Sequence, residues 1–445
     1  MSIPNRQIGW SQESNLLWGI WNDLSKVSRA VNCCTTGTPT NPENVVLPST
    51  SYDSFGRLRV SEPLTLFDSS HRYADNGQWA TAVSTGGTAV FNADQGLVDL
   101  NVTAASSSSV VRETNKVFPY QPGKSLLVLN TFVMSPAKTG LTQRVGYYGD
   151  ENGFYIEQAD SAVAFVKRSV VTGSIVETPV LQANWNGDKL DGSGPSGITL
   201  DLTKAQILWM DLEWLGVGSV RVGFIINGQF IVCHTFQHAN IIASTYITTA
   251  SLPLRYEIEN TDETSGASTL KQICSTVISE GGYELRGVQQ SVGTSILAPR
   301  TFAVAGTYYP IVSLKLKSTR LDAIAVVTAV SLLGLGNGKN YQWRVLAGGT
   351  TSGGLWVDAG ADSAIEYNLT GTSASGGRRL ASGYVNSSNQ GSPSINILKQ
   401  ALLATQLERD GLTGTPYEII VEMAVGTTSG GEGAFVSMDW EEISR

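Results

Sequence analysis

Along most of the chain, apolar residues come in short runs, many alternating with polar ones, and each run ends at a cluster of Gly, Asn, Asp or Pro. A period of two is the signature of a half-buried β-strand, and runs broken this often predict an antiparallel sandwich or jelly roll. Strands are expected over residues 96–102, 125–134, 143–148, 153–158, 163–171, 207–215, 220–226 and 229–236. Asn227-Gly228 separates the last two, and Asn-Gly accepts the positive φ angles of a two-residue hairpin turn. Asn152-Gly153 predicts a second hairpin. The Gly-, Asp- and Asn-rich loop 184–198 is expected to be exposed and mobile.

A second β-rich stretch follows, with strands expected over 309–318, 324–333, 341–346, 364–368, 418–424 and 434–441. Glycine doublets mark its turns: Gly348-Gly349, Gly353-Gly354, Gly376-Gly377 and Gly430-Gly431. One helix is expected within it, over 395–409, where Ile395, Leu398, Leu402 and Leu403 recur at helical spacing.

The first residues follow a different period. After Ser11 as N-cap, Leu17, Ile20, Leu24, Val27 and Val31 advance by alternating steps of three and four, and Trp10 extends the row one heptad upstream. This is the a/d seam of a coiled coil, widened by Leu16, Trp18 and Trp21. Such a helix needs a partner to be stable in water. It predicts an anchor or a self-association element, with a trimer as the expected state, although Leu, Ile and Val mixed at a and d leave the number open. The reading is therefore mainly β: antiparallel jelly-roll or β-sandwich domains with an N-terminal helix. It divides into a helix (1–31), a linker (32–53), a large lectin-like sandwich (54–286) and a C-terminal β-domain with one helix (287–445).

Composition fits this picture. A chain of 445 residues exceeds one core, and 41% apolar residues suffice to fill more than one. Only 15% are charged, against about 25% usually, while 47 glycines serve turns. The net charge of −8 with scattered Lys and Arg argues against nucleic acid as a partner. The polar start is no secretion signal, and no apolar run is long enough for a membrane helix, so a protein made in the cytoplasm is expected.

Candidate chemistry is sparse. Of three histidines, His234 and His238 stand four apart, but Thr235 occupies the position where a metalloprotease helix needs Glu, and no third ligand is evident. No metal or other cofactor is expected. Cys233 and Cys274 could pair if their strands are neighbours, whereas Cys33-Cys34 matches no zinc spacing. Asp211 and Glu213 fall on one face of a strand, as the carboxylates of a polysaccharide depolymerase do, yet the further flanking acid is missing. No nucleophile elbow, phosphate loop or dinucleotide fingerprint occurs, so an enzyme is not expected. Trp79, Trp185, Trp209, Trp214, Trp343, Trp356 and Trp440 are either core anchors or stacking platforms for sugars. Trp185, lying in the polar loop, is the candidate for glycan contact.

Three phrases resemble virion structural proteins of tailed phages, cyanophage-like and marine ones in particular: QRVGYYGDENGFYIEQ at 143–158, the long run at 198–240, and LPLRYEIEN at 252–260. The opening at 3–20 is similar to that group as well. The resemblance covers about half the chain. It implies a tail, baseplate, fibre or capsid-attached component located in the virion, with other virion proteins as partners. The order of strand, Gly-Val-Gly, strand, Asn-Gly and strand from Trp209 to Phe236 is also similar to concanavalin-like sandwiches. Assembly is then the expected task, with host-surface glycan as the further partner. The alternatives are a glycan-binding receptor-recognition module and a depolymerase.

Overall fold

The computed structural model describes residues 52–54, 63–284, 286–388, 394–395 and 405–444. The helix expected over 1–31, with Trp10, Leu17, Ile20, Leu24, Val27 and Val31, lies outside the described residues, as does nearly all of the linker.

The first fifteen strands are β1 (Pro63–Ser70), β2 (Trp79–Ser84), β3 (Thr88–Asn92), β4 (Leu97–Val102), β5 (Ser109–Thr114), β6 (Ser125–Val133), β7 (Leu141–Tyr148), β8 (Gly153–Ala159), β9 (Ala162–Ser169), β10 (Val176–Leu181), β11 (Gln206–Leu212), β12 (Val220–Ile226), β13 (Gln229–Phe236), β14 (Leu254–Asn260) and β15 (Ser268–Glu280). They form two antiparallel sheets. One runs β13-β12-β11-β6-β15-β4-β3 with β1 added on β15, and the other runs β10-β9-β8-β7-β14-β5-β2. Alternation decides what each strand buries. In β14, Leu254, Tyr256 and Ile258 enter the core, while Arg255, Glu257 and Glu259 face away. Val128 and Phe132 of β6 meet Val145 and Tyr147 of β7 in the same apolar cluster, which makes the pair of sheets a sandwich.

The remaining strands are β16 (Val288–Gly293), β17 (Arg300–Thr301), β18 (Tyr309–Leu316), β19 (Ile324–Gly334), β20 (Asn340–Ser352), β21 (Val357–Asp358), β22 (Ile365–Asn368), β23 (Ser373–Asn386), β24 (Ser394–Ile395), β25 (Arg409–Asp410), β26 (Thr415–Pro416), β27 (Glu418–Val425) and β28 (Gly433–Ser444). Eleven of them build a five-stranded sheet (β16-β28-β19-β24, with β17 on β28) and a six-stranded sheet (β21-β22-β18-β27-β20-β23) around a second apolar core, and β25 and β26 pair with each other. Among the described residues, no strand pairing joins the first group to the second.

Turn chemistry matches the sequence in part. Asn227 and Gly228 both have positive φ, 53° and 75°, between the paired Ile226 and Gln229, as a two-residue hairpin requires. Asn152-Gly153 does not make such a turn. Gly153 already pairs with Tyr148 inside the ladder, so four residues form the loop. Asn152 serves it through its side chain, which accepts the Thr248 N–H and donates to Thr248 Oγ1. Gly348-Gly349 and Gly376-Gly377 are not turns either. They face each other within the β20–β23 ladder, where the pairing slips by one residue against β27. A Cβ on Gly377 would lie 2.8 Å from the Gly349 nitrogen.

The helix expected over 395–409 is also corrected, at both ends. Ile395 belongs to β24, Gln406 bridges Val326, and Arg409 begins β25; residues 396–404 lie outside the description. The Leu407 N–H donates to the Ala325 carbonyl and the Thr405 hydroxyl to that of Val327, so β19 takes the hydrogen bonds a helix would make internally.

This extended segment joins the sandwiches. The Arg409 guanidinium, almost fully buried, meets Glu113 at 2.7 Å, the Thr114 carbonyl at 2.6 Å and Asp322 at 3.0 Å. Its backbone N–H donates to Asn115, Gln406 donates to the Val117 carbonyl, and Lys116 pairs with Glu408 at 3.3 Å. Breaking one partner of a buried ion pair costs about 3–5 kcal/mol. Arg409→Met should cost about 3 kcal/mol, at the low end of that range, because Arg255 still faces Glu113 at 3.4 Å. Calorimetry should then show separate melting of the two sandwiches; one unshifted transition would mean Arg409 does not couple them.

Candidate functional site

Trp185 is not a surface platform. It is 2% exposed, rests on Phe165 with ring centres 4.6 Å apart, and donates its indole N–H to the Val180 carbonyl. The loop around it is held in place. Gly187 and Asp188 donate backbone N–H groups to Cys233 and Val232, while the Asp188 carboxylate accepts the N–H groups of Leu190 and Ser196. Burial, the largest single influence, pushes the Asp188 carboxyl up, but these bonds together outweigh it and hold the group below its ordinary value. The polar loop thus closes the sandwich, with Trp185 and Leu190 as its apolar underside.

Asp211 and Glu213 do not form an open carboxylate pair. Asp211 is fully buried, paired with Arg221 and accepting the Ser125 hydroxyl. Glu213 lies past the end of β11 and accepts from the Ser219 hydroxyl at 3.3 Å; burial pushes its carboxyl up. Cys233 and Cys274 are both free. Three strands stand between theirs, a gap of roughly 19 Å at sheet spacing, so no bridge forms.

The histidines hold loops. His238 stacks on Tyr246 at 4.0 Å, with Nδ1 2.7 Å from the Gly218 carbonyl and Nε2 3.5 Å from Lys167. His234 Nδ1 accepts the Asn186 N–H. Among the described residues, no group of three or more His, Cys, Asp or Glu could hold a metal ion.

The outer face of the seven-stranded sheet carries a lattice of charges. Arg144 reaches Glu157 at 2.7 Å and both Glu257 and Glu259 at 2.6 Å, and Arg255 spans Glu113, Asp150 and Glu257. Beneath it, Tyr148 and Tyr155 lie 4.4 Å apart, and Arg168 covers both rings. Burial drives both phenols upward, so they stay neutral donors to Glu257 and Glu177. With every cation committed to carboxylates, this face is structural.

The open site lies where the sandwiches meet. A cleft of about 730 Å³ is lined by Tyr120, Trp214 and residues 248–251 on one side and 319–323 on the other. A second hollow of about 410 Å³ shares Tyr120, Pro122 and Ile443 with it and adds Lys124, Tyr283, Glu284 and Arg286. Its aromatic wall is rigid. Tyr120 and Trp214 meet edge to face at 6.1 Å, the Tyr120 hydroxyl accepts the Trp214 backbone N–H, and the indole donates to Ile247. The floor is fixed from the core, where the Tyr147 hydroxyl donates to the Ala250 carbonyl and accepts the Leu252 N–H. Thr248, Thr249, Ser251 and Thr319 line it with hydroxyls, and Asp322 and Arg320 supply charge. This combination offers a stacking surface and many hydrogen-bonding groups.

Of the seven tryptophans weighed from sequence, Trp214 and Trp356 are half-exposed and the other five are buried. Tyr120 and the 248–251 wall carried no motif; Tyr120 is recognisable only by lying opposite Trp214 across 94 residues.

No protein-family model matches the chain, and no curated protein matches it. Among solved structures it is similar to a protein of unknown function from Shewanella oneidensis MR-1 at 10% identity, covering 56% of this chain and 99% of that one, with a TM-score of 0.33. It is also similar to the Emp47p carbohydrate recognition domain (12% identity, 46% and 90% covered, TM-score 0.30). A third likeness is to a glycoside hydrolase family protein from Mycobacterium thermorestibile (8% identity, 48% and 99% covered, TM-score 0.33). At these values the likenesses carry no functional inference.

The His238 imidazole is pushed down to about 4 by burial, with the Gly218 carbonyl opposing. An unfolded His titrates near ~6.5, so below that pH the unfolded chain takes up a proton that the folded chain refuses. Stability should fall as pH drops from about 6.5 towards about 4 and then level off. Urea midpoints at pH 7 and 4.5 should differ less in His238→Phe than in the native chain. An unchanged difference would show that His238 does not carry the effect.

Proposed function

We propose that this chain is a non-catalytic, saccharide-recognising component of a phage particle, with the cleft between its sandwiches as the recognition site and the first sandwich a lectin-like jelly roll. The observation that carries the proposal is Trp214: a half-exposed indole, held through its own Nε1–H and through the residue's backbone N–H, at the wall of a hydroxyl-lined cleft. Its volume falls in the range of small-ligand sites, roughly 300–1,000 Å³, and such sites favour domain junctions. An indole presents a flat apolar face to the C–H side of a sugar ring, and the hydroxyls answer the sugar's own. No catalytic step belongs to this proposal, since Asp211 is committed to Arg221 and Ser125. On a glycan array of bacterial surface polysaccharides, Trp214→Ala should lose at least tenfold in binding to whatever the native chain retains. Unaltered binding would retire the cleft.

The particle setting rests on the phrases at 143–158, 198–240 and 252–260 that resemble virion structural proteins. In it, the segment 1–31 anchors the chain or zips copies together, expected as a trimer. Deleting residues 1–31 should leave a folded protein with unchanged melting that no longer enters particles. Normal incorporation would end the anchoring role.

A further inference from the structure

The outer face of the six-stranded sheet carries a group of side chains that neither core needs. Tyr384, on the edge strand β23, is 79% exposed. It stands opposite Gln342 in the ladder, and the Gln342 amide donates to its hydroxyl at 3.1 Å. The same amide accepts the Tyr308 hydroxyl through its oxygen, so one glutamine ties two phenols. Arg344 lies 3.8 Å over the Tyr308 ring and is anchored through Nε to Glu422, a buried carboxylate. Neither Nη group of Arg344 is hydrogen-bonded to a described residue. The strand beneath is firm, because Gly383 leaves room for the Trp343 indole: a Cβ there would lie 2.6 Å from the ring.

The Tyr384 ring stands open to solvent, with polar groups on one side of it. Here it is held at one orientation, beside a guanidinium with donors to spare. Arg presents a planar fork matched to carboxylates, and one guanidinium can serve a second acid while keeping its first. From this juxtaposition we infer a second binding site on the C-terminal sandwich, for a saccharide bearing a carboxylate: the sugar ring stacks on Tyr384, its acid meets Arg344, and its hydroxyls meet Gln342 and Tyr308. The inference shares the saccharide reading of the cleft but uses none of the cleft's residues, so each can fail alone.

The probe is a hexamer of galacturonic acid, with cellohexaose as its uncharged counterpart, added to the full chain and followed by saturation-transfer NMR and calorimetry. The native chain should bind the acidic hexamer at least tenfold more tightly than the neutral one. Tyr384→Ser should lose at least tenfold, Tyr384→Phe should retain binding, and Arg344→Lys should reduce the preference for the acid. Tyr384→Ser lies at an exposed position and should melt as the native chain does. Trp214→Ala should leave the acidic hexamer bound. The site is overturned if the native chain does not take the acidic hexamer, if Tyr384→Ser binds it normally, or if only Trp214→Ala abolishes binding. The last result would place the ligand in the cleft instead.

Discussion

One buried guanidinium sets how the two sandwiches act. Arg409 comes from the second sandwich, yet it ends among Glu113 and the Thr114 carbonyl of the first and Asp322 of its own. A charge in so dry a place is tolerable only when several partners answer it. Burial pushes the Glu113 carboxyl up, while Arg409 and Arg255 pull it down. The geometry is thereby tightly set: shifting one sandwich by an ångström or two would part Arg409 from Glu113 and the Thr114 carbonyl, leaving Glu113 to Arg255 and Arg409 to Asp322. A linker of ordinary composition leaves two domains free to move, whereas this contact makes the junction a fixed wall. Asp322 serves twice, holding Arg409 and lining the cleft, so the site's shape follows directly from the clamp.

The same logic explains the outer face of the seven-stranded sheet. Seven strands leave a broad face to cover, and tyrosines with crossed Arg and Glu cover it without an apolar patch. Because Tyr148 and Tyr155 lie under Arg168, the face gains cation–π contact and gives up ligand access. Arg144 with three carboxylates is a network rather than a single exposed pair, and networks are the case in which surface ions contribute measurably.

Strand position was legible from alternation because burial on one face is a local property. β12 and β13 coincide with the expected runs, and Asn227-Gly228 turns as its φ preferences demand. What alternation could not supply is which neighbour lies across a face. Several strands, β23 above all, escaped notice because polar, glycine-containing edge strands bury too little to leave a period. Gly348-Gly349 reads as a turn in one dimension, yet it faces its partner doublet 28 residues on inside the β20–β23 ladder, at the point where β20 slips against β27. Trp185 is the clearest case. A polar loop looks exposed, but Asp188 and Gly187 spend their hydrogen bonds on the loop's own path and on β13, which frees the indole to close the core. Trp214, in an apolar stretch that reads as strand, emerges at the cleft because β11 ends at Leu212.

Rigidity and weak ligands belong together. A sugar offers few apolar atoms, so its binding free energy is small and any ordering of the receptor on binding would consume it. Here the ordering is complete beforehand: Tyr147 fixes the cleft floor, Tyr120 fixes Trp214, and Arg409 fixes the opposite wall. Weak single contacts become useful when copies are held close together, since a second contact then forms at millimolar effective concentration. A particle that displays several chains would supply that proximity. A monomer in free solution would not, so the rigid junction at Arg409 would gain its use from the assembly proposed for residues 1–31.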